Sequence, residues 1–288
     1  MRPIAAALVL LLSISIAGPA STQTESCDSI EKEKKASVRR IFMSQRPYAC
    51  CDETILKCLS KEPVCPLVER LADEICQKID AGVSPEMVEK ELSLRLESAR
   101  GAKFDIDIGK SVPAGDPDAP VEIVAYVCAR CPFCAIFTLD LYKAVTSGTL
   151  KGKAKFYIRP FVLRGHTGAT AGGMAMLAAR EMGRFWVFLQ HMYENFDQFD
   201  SAKLPDDAAQ LGMDADRFRL LMEDPELRND LVAAKKEGLR NGVEGTPTFY
   251  INRRKYVAEL MPKTFKDFVL GEYERLAMTA VEPNGSSR

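Results

Sequence analysis

The sequence predicts an α/β fold preceded by a small helical region, and three observations support this prediction. The apolar run Val121–Val127 is typical of a buried strand, and Ala135–Leu141 behind it is typical of a buried helix. Two cysteines lie at the junction, in the segment C-P-F-C at positions 131–134. Residues 165–241 have helical spacing almost throughout, after which residues 245–251 read as a turn that enters a β-rich strand, with Pro247 as the first residue of the strand. This order of elements predicts a sheet with a helical insertion between its strands.

Four further segments complete the predicted sheet and its closing helix. Lys155–Ile158 is the strand that follows the first helix. Lys103–Ile108 alternates apolar with charged residues, which predicts a half-exposed edge strand. Near the end of the chain, Lys255–Glu259 is predicted to return beside the preceding strand, and Pro262–Ala277 to form the last helix.

The first twenty residues predict a cleaved secretory signal peptide. They combine a positive start at Arg2, an apolar run over residues 4–16 and small residues over 17–20. The run is too short to cross a bilayer as a helix, which needs about 20 apolar residues. The sequence therefore predicts an exported protein, periplasmic or secreted, in a compartment where disulfides form.

Residues 21–100 predict a cysteine-rich helical domain, and residues 101–288 the α/β domain with its insertion at about 165–241. Six of the nine cysteines lie between Cys27 and Cys76. A helical segment of this size buries little core, so structural disulfides are expected there, although connectivity cannot be deduced from sequence. The cysteines considered for these bridges, or for an accessory redox role, are Cys50, Cys51, Cys58, Cys65 and Cys76.

Charge and histidine content exclude several classes of function. The 39 basic and 40 acidic residues are interspersed, which gives no footprint for nucleic acid. Only His166 and His191 are present, which disfavours metal hydrolases and nucleophile–histidine pairs. Neither a cofactor nor a metal site is expected.

The spacing of Cys131 and Cys134 predicts redox chemistry. The first sulfur lies at a helix start, where unpaired N–H groups and the helix dipole favour a thiolate. The second lies one turn further and can attack a mixed disulfide formed at the first. A proline in the first turn loses no hydrogen bond there. A structural disulfide or half of a metal site is the alternative for an isolated C-x-x-C.

Together, the C-P-F-C segment and Gly245-Thr246-Pro247-Thr248 resemble the DsbA-like branch of the thioredoxin fold, over roughly residues 103–280. The resemblance implies a thiol:disulfide oxidoreductase in which a helical domain is inserted into the thioredoxin core. It also implies that the Thr246–Pro247 bond is cis and that the backbone of Thr246 binds a substrate peptide as an added strand.

The sequence departs from this family at two positions. The spacer Pro132-Phe133 lacks the histidine of the strongest oxidants, which predicts a less oxidising pair. Members often carry a glutamate six residues before the first cysteine, where this chain has Ala125. Glu122 is predicted to face the other side of the strand, where a solvated carboxylate is favoured over a proton acceptor.

Cys128 extends the local pattern to C-x-x-C-x-x-C. Three roles are open for it: a small residue packed before the active site, a disulfide to the N-terminal region, or ligation of a metal or cluster.

Residues 50–97 bear a weaker resemblance to the CcmH-like helical domain of cytochrome c maturation, through Leu71, Gly82, Ser84, Val88 and Leu92. That family has a redox C-x-x-C upstream, but the matching place here holds adjacent Cys50 and Cys51. We expect these cysteines to staple the domain rather than to relay electrons. Residues 101–288 are then expected to keep their activity and potential without the N-terminal domain.

The combined hypothesis is an exported oxidoreductase that exchanges disulfides with extracytoplasmic proteins, recycled by a membrane redox partner and without nucleic-acid partners. The alternatives are a reductase or isomerase acting on apocytochromes or misbridged proteins, and a peptide-binding chaperone.

Overall fold

The computed structural model describes residues 25–281, so the predicted signal peptide lies outside the described residues. Five strands form one sheet in the order β1-β3-β2-β4-β5. The central strand β2 is parallel to β3 and antiparallel to β4. The strands are β1 Ala114–Gly115, β2 Val121–Val127, β3 Ala154–Pro160, β4 Thr248–Ile251 and β5 Arg254–Lys255.

Twelve α-helices surround this sheet within the described part of the chain. Five precede it, one connects β2 to β3, five lie between β3 and β4, and one follows β5. They are α1 Glu25–Asp28, α2 Lys32–Ser44, α3 Ile55–Leu59, α4 Pro66–Asp80, α5 Pro85–Arg100, α6 Pro132–Thr146, α7 Ala169–Glu181, α8 Phe185–Glu194, α9 Leu204–Gln210, α10 Ala215–Glu223, α11 Pro225–Arg240 and α12 Pro262–Val281. None of them is long and apolar enough to serve as a membrane-spanning segment.

Strand β2 is buried on both faces because its side chains alternate between two cores. Ile123, Ala125 and Val127 belong to the main core with residues of α6 and α12. Val124 and Tyr126 point to a second core on the opposite face, which is covered by the α11 side of the molecule. A near-continuous apolar strand is the pattern that burial on both faces requires.

The prediction that Lys103–Ile108 forms an edge strand is wrong. The segment makes one isolated bridge, between Lys103 and Arg254, and then crosses the second face of the sheet. Phe104 packs edge to face on Tyr250, and Ile106 is buried in the second core. Its alternating apolar residues are thus satisfied by packing on the sheet rather than by pairing with its edge.

The returning strand is shorter than the predicted Lys255–Glu259. It ends at Lys255, and Val257 donates its N–H to the Ser98 hydroxyl of α5 at 3.0 Å. The chain there turns from strand pairing to contact with the N-terminal helices. On the other side of the sheet, Ala114 and Gly115 supply the edge strand where the sequence suggested only a loop.

Local sequence features mark the ends of two of the N-terminal helices. Ser84 caps α5 by accepting from the N–H of Met87, with Pro85 as the first helical residue. Gly82 follows α4 at φ +85°, a backbone conformation that favours glycine.

Three disulfides hold this helical region, which confirms the expectation of structural bridges. Cys27, which was not among the cysteines proposed for bridging, takes part and completes the pairing of all six. The bridges are Cys27–Cys76, Cys50–Cys65 and Cys51–Cys58.

The N-terminal helices share an interface with α12. Tyr48 stacks on Phe268 at a centroid distance of 4.8 Å. Arg70 binds Glu274 through two hydrogen bonds of 2.8 and 3.0 Å and Asp267 through one of 2.5 Å. One continuous hydrophobic core therefore includes residues of both the helical region and the sheet region.

Candidate active site

Helix α6 starts directly after Cys131, which is its N-cap residue with an extended backbone, φ −105° and ψ 119°. Pro132 occupies the first helical position, where its missing N–H costs no hydrogen bond. Cys134 lies in the first turn. Cys131 is 3% exposed and Cys134 is fully buried, and both thiols are free.

The pKa values of the two thiols diverge strongly. A hydrogen bond from the Cys134 thiol is the main cause that lowers the pKa of Cys131 to about 5, against the opposing effect of burial. The backbone N–H groups of Cys134 and Phe133 and the Thr246 side chain lower it further. Burial raises the pKa of Cys134 far above its usual range, and its hydrogen bond to Cys131 adds to this rise. At neutral pH the site therefore holds a thiolate at Cys131 and a thiol at Cys134.

Strand β4 brings Thr246 and Pro247 beside the cysteines. Thr248 pairs with Tyr126 of β2, so the residues just before it lie next to the end of that strand. The Thr246–Pro247 bond is cis, and Cys131 Sγ lies 3.2 Å from the Thr246 carbonyl oxygen, to which it donates a hydrogen bond only in its thiol form. The buried Thr246 hydroxyl has no hydrogen-bond partner within residues 25–281, which leaves it free to donate to a thiolate.

The low pKa of Cys131 predicts the pH dependence of its alkylation. The rate of reaction of the reduced protein with iodoacetamide should rise with a midpoint near pH 5 and stay level to pH 8, because the thiolate is the reacting form. Ultraviolet absorbance at about 240 nm, which increases as the thiol ionises to the thiolate, gives an independent midpoint. Cys131→Ser is the control, since Cys128 and Cys134 are buried with raised pKa values. A midpoint near pH 9 would contradict the assignment.

Cys128 follows β2, is 1% exposed and is free. Its Sγ lies 3.5 Å from His166 Nδ1, and its carbonyl accepts from the Tyr193 hydroxyl at 3.3 Å. Burial raises the pKa of its thiol. The predicted alternative of a disulfide to the N-terminal region is wrong, because those six cysteines pair with one another. Within residues 25–281, no group of three or more His, Cys, Asp or Glu side chains is suited to a metal ion.

Arg130 holds the loop before Cys131 against the helical insertion. Its guanidinium lies 4.4 Å from the ring centroids of both Phe196 and Phe199, and it donates to the Phe196 carbonyl at 2.7 Å. Gly172 of α7 lets the chain pack closely, since a Cβ there would lie 2.5 Å from the Cβ of Ala129. No local pattern in the sequence signals these contacts, because the partners come from segments more than forty positions away.

The position expected to carry a buried acid is apolar, since Ala125 is fully buried in the main core. Glu122 is paired rather than solvated: its Oε1 lies 3.1 Å from Arg253 Nε. It lies near the start of β2 and Cys131 lies beyond the end of that strand, so about 16 Å of extended chain separates Glu122 from Val127. Glu122 is too far from Cys131 to take its proton.

The strand β2, the helix α6 with its cysteine pair and the cis-proline strand β4 together define a thioredoxin fold. Residues 108–270, more than half of the chain, match the family model described as thioredoxin. The chain belongs to the thioredoxin family. The predicted α/β class, with helices inserted between β3 and β4, is confirmed.

Solved structures share this fold at low sequence identity. BdbD from Bacillus subtilis matches with a TM-score of 0.53 at 18% identity, covering 60% of this chain and 98% of BdbD. The α-DsbA1 of Wolbachia pipientis matches with a TM-score of 0.52 at 20% identity, covering 62% and 97%. The region outside this coverage is not part of the shared fold.

Curated relatives match over a shorter part of their length. The Na⁺/H⁺ antiporter NhaA 3 of Salinispora tropica is 27% identical over 152 residues, which cover 52% of this chain and 23% of the antiporter. NhaA of Herminiimonas arsenicoxydans is 25% identical over 169 residues, which cover 58% and 24%. The chain thus spans about a quarter of the length of the curated relatives it matches.

Proposed function

We propose that this protein is an exported thiol:disulfide oxidoreductase that exchanges disulfides with protein substrates through Cys131 and Cys134. The observation that carries the proposal is a free cysteine pair at the start of helix α6, with Cys131 Sγ 3.2 Å from the carbonyl oxygen that precedes a cis-proline. This setting lowers the pKa of Cys131 and raises that of Cys134. A structural cysteine pair has no need of a stabilised thiolate, whereas exchange chemistry depends on one.

In the oxidising direction, a substrate thiolate attacks Cys131 Sγ of the Cys131–Cys134 disulfide. A mixed disulfide forms between the substrate and Cys131, and the Cys131–Cys134 bond breaks. The released Cys134 sulfur takes up a proton because its pKa is high. A second substrate thiolate then attacks the substrate sulfur of the mixed disulfide. The substrate leaves with a disulfide, and Cys131 leaves as a stabilised thiolate. Two electrons pass from the substrate to the cysteine pair.

The surroundings of Cys131 favour extended, partly apolar protein segments as substrates. Phe133 and Ile136 on α6 are 65% and 60% exposed beside the redox pair, which provides an apolar surface. The backbone of Thr246 offers the pairing site that an extended chain needs. Recycling requires a second redox protein, which we propose lies in the membrane.

Two measurements test this function. Purified protein should accelerate insulin reduction by dithiothreitol, and a chaperone without redox activity should not. Acid trapping of thiols in cells separates the directions: a Cys131–Cys134 pair that is disulfide-bonded at rest supports the oxidase, and a reduced pair supports the reductase or isomerase alternative. The proposal would be refuted if the protein does not accelerate insulin reduction and if Cys131 and Cys134 are not found to cycle between thiol and disulfide in cells.

The redox potential should be intermediate between those of the two best-known relatives in fold. A Cys131 pKa of about 5 lies between values of about 7 for thioredoxin and about 3.5 for DsbA. We therefore expect a potential between about −270 mV and about −120 mV, measured by equilibration with glutathione buffers. A value at either extreme would show that groups other than those around Cys131 set the potential.

A further inference from the structure

A third thiol lies on the same loop as the redox pair. Cys128-Ala129-Arg130-Cys131 is itself a C-x-x-C, and the N–H of Cys131 donates to the carbonyl of Cys128 at 3.1 Å. A hydrogen-bonded four-residue turn brings its first and last Cα atoms within about 7 Å. Disulfides span Cα separations of about 4.4–6.8 Å. The backbone therefore holds Cys128 and Cys131 at a Cα separation close to that of a disulfide, and a bridge between them needs their side chains to turn toward each other.

His166 lies within hydrogen-bond distance of Cys128, and its Nδ1 can accept the thiol proton in the tautomer that carries hydrogen on Nε2. The Sγ to Nδ1 distance is 3.5 Å, and the imidazole lies on the loop between β3 and α7. Because Cys128 is 1% exposed, bulk water does not reach its thiol. Burial is the main cause that raises the pKa of that thiol, and the charge of Cys131 adds to the rise, whereas the backbone groups of Leu163 and Arg130 and, least, the charge of Lys235 lower it. A buried cysteine used only for packing has no need of an imidazole beside it.

We propose that Cys128 is a second resolving thiol, which displaces a bound substrate from Cys131 when Cys134 does not. This proposal rests on the exchange function of Cys131. Cys128 transfers its proton to His166, and its sulfur attacks Cys131 Sγ of the mixed disulfide. The Cys128–Cys131 bond forms, the Cys131–substrate bond breaks, and the substrate leaves as a thiol once it takes up a proton. The pair loses two electrons, and the substrate disulfide has gained them.

The test starts from Cys134→Ser protein that has reacted with oxidised glutathione, so that Cys131 carries one glutathione as a mixed disulfide. After removal of excess reagent, Cys134→Ser should release the bound glutathione. Release should be at least tenfold slower in Cys128→Ser/Cys134→Ser and in Cys128→Ala/Cys134→Ser. The two double variants guard against a folding defect of either one, and their melting curves are compared with that of Cys134→Ser.

Trypsin identifies the new disulfide directly. Cleavage after Arg130 separates residues 111–130, which hold Cys128, from residues 131–143, which hold Cys131. The released Cys134→Ser protein should yield these two peptides joined by a disulfide, and the double variants should not.

The role of His166 is tested by His166→Gln in the Cys134→Ser background. Glutathione release should slow, whereas His191→Gln should leave it unchanged, because His191 contacts Asn195 and Asp207 instead. Equal release from all variants, without linked peptides, would overturn the proposal and make Cys128 a packing residue. Failure of Cys134→Ser to form any mixed disulfide would instead refute the exchange function itself.

Discussion

In the Cys131→Ser variant, the rates of insulin reduction and of glutathione exchange should fall to the rates in buffer alone. Serine cannot supply a thiolate, and neither buried cysteine nearby presents one to solvent at neutral pH. A thiol with an unshifted pKa would be only about 1% thiolate at pH 7, whereas Cys131 is almost fully ionised. The loss should therefore exceed about a hundredfold.

Cys134→Ser provides the matched comparison, because the change of atom is the same. It should retain the first attack and accumulate mixed disulfides with substrate, visible as a mass increase or on non-reducing gels. Its remaining slow release is what we attribute to Cys128. Equal trapping by Cys131→Ser and Cys134→Ser would contradict the assignment of attacking and resolving roles.

Removal of residues 25–100 should lower stability strongly. It exposes the ring of Phe268, which is 1% exposed in the full chain, and leaves Asp267 and Glu274 without Arg70. Loss of this apolar burial alone should cost about 2–3 kcal/mol, which lowers the melting temperature by about 5–10 °C. The pKa of Cys131 in the folded fraction should stay near 5, because its causes all lie between residues 131 and 246.

Single substitutions test this interface while the helical region stays in place. Arg70→Met should cost about 1–3 kcal/mol, since it leaves two partly buried carboxylates unpaired. Arg100→Met should change the free energy of unfolding by less than about 0.5 kcal/mol, because its pair with Asp52 is exposed. Chemical denaturation measures both. Equal effects, or a truncated protein as stable as the full chain, would restore the expectation of an independent domain.

The sequence is most informative where chemistry is local. The helix start at Cys131 follows from neighbouring residues, and the structure has it as expected. The cap at Ser84 and the glycine turn at Gly82 are equally local features. The segment Lys103–Ile108 was wrongly predicted because alternation reports one buried side, which packing on a sheet face satisfies as well as edge pairing does.

Distant contacts were beyond a single sequence. The bridge from Cys27 to Cys76 spans 49 positions, and no spacing rule selects it. The same applies to His166 beside Cys128, since a histidine in a loop gives no indication of which residue it faces. The sequence likewise gives no sign that Tyr48 stacks on Phe268.

The shape of the sheet edges bears on how this protein avoids self-association. Both outer strands, β1 and β5, contain only two residues, and the chain beyond β5 is held to α5 by Ser98. Long exposed edges are templates for intermolecular β pairing, and short or covered edges remove that hazard. Fibril-like association through the sheet is therefore disfavoured at both edges.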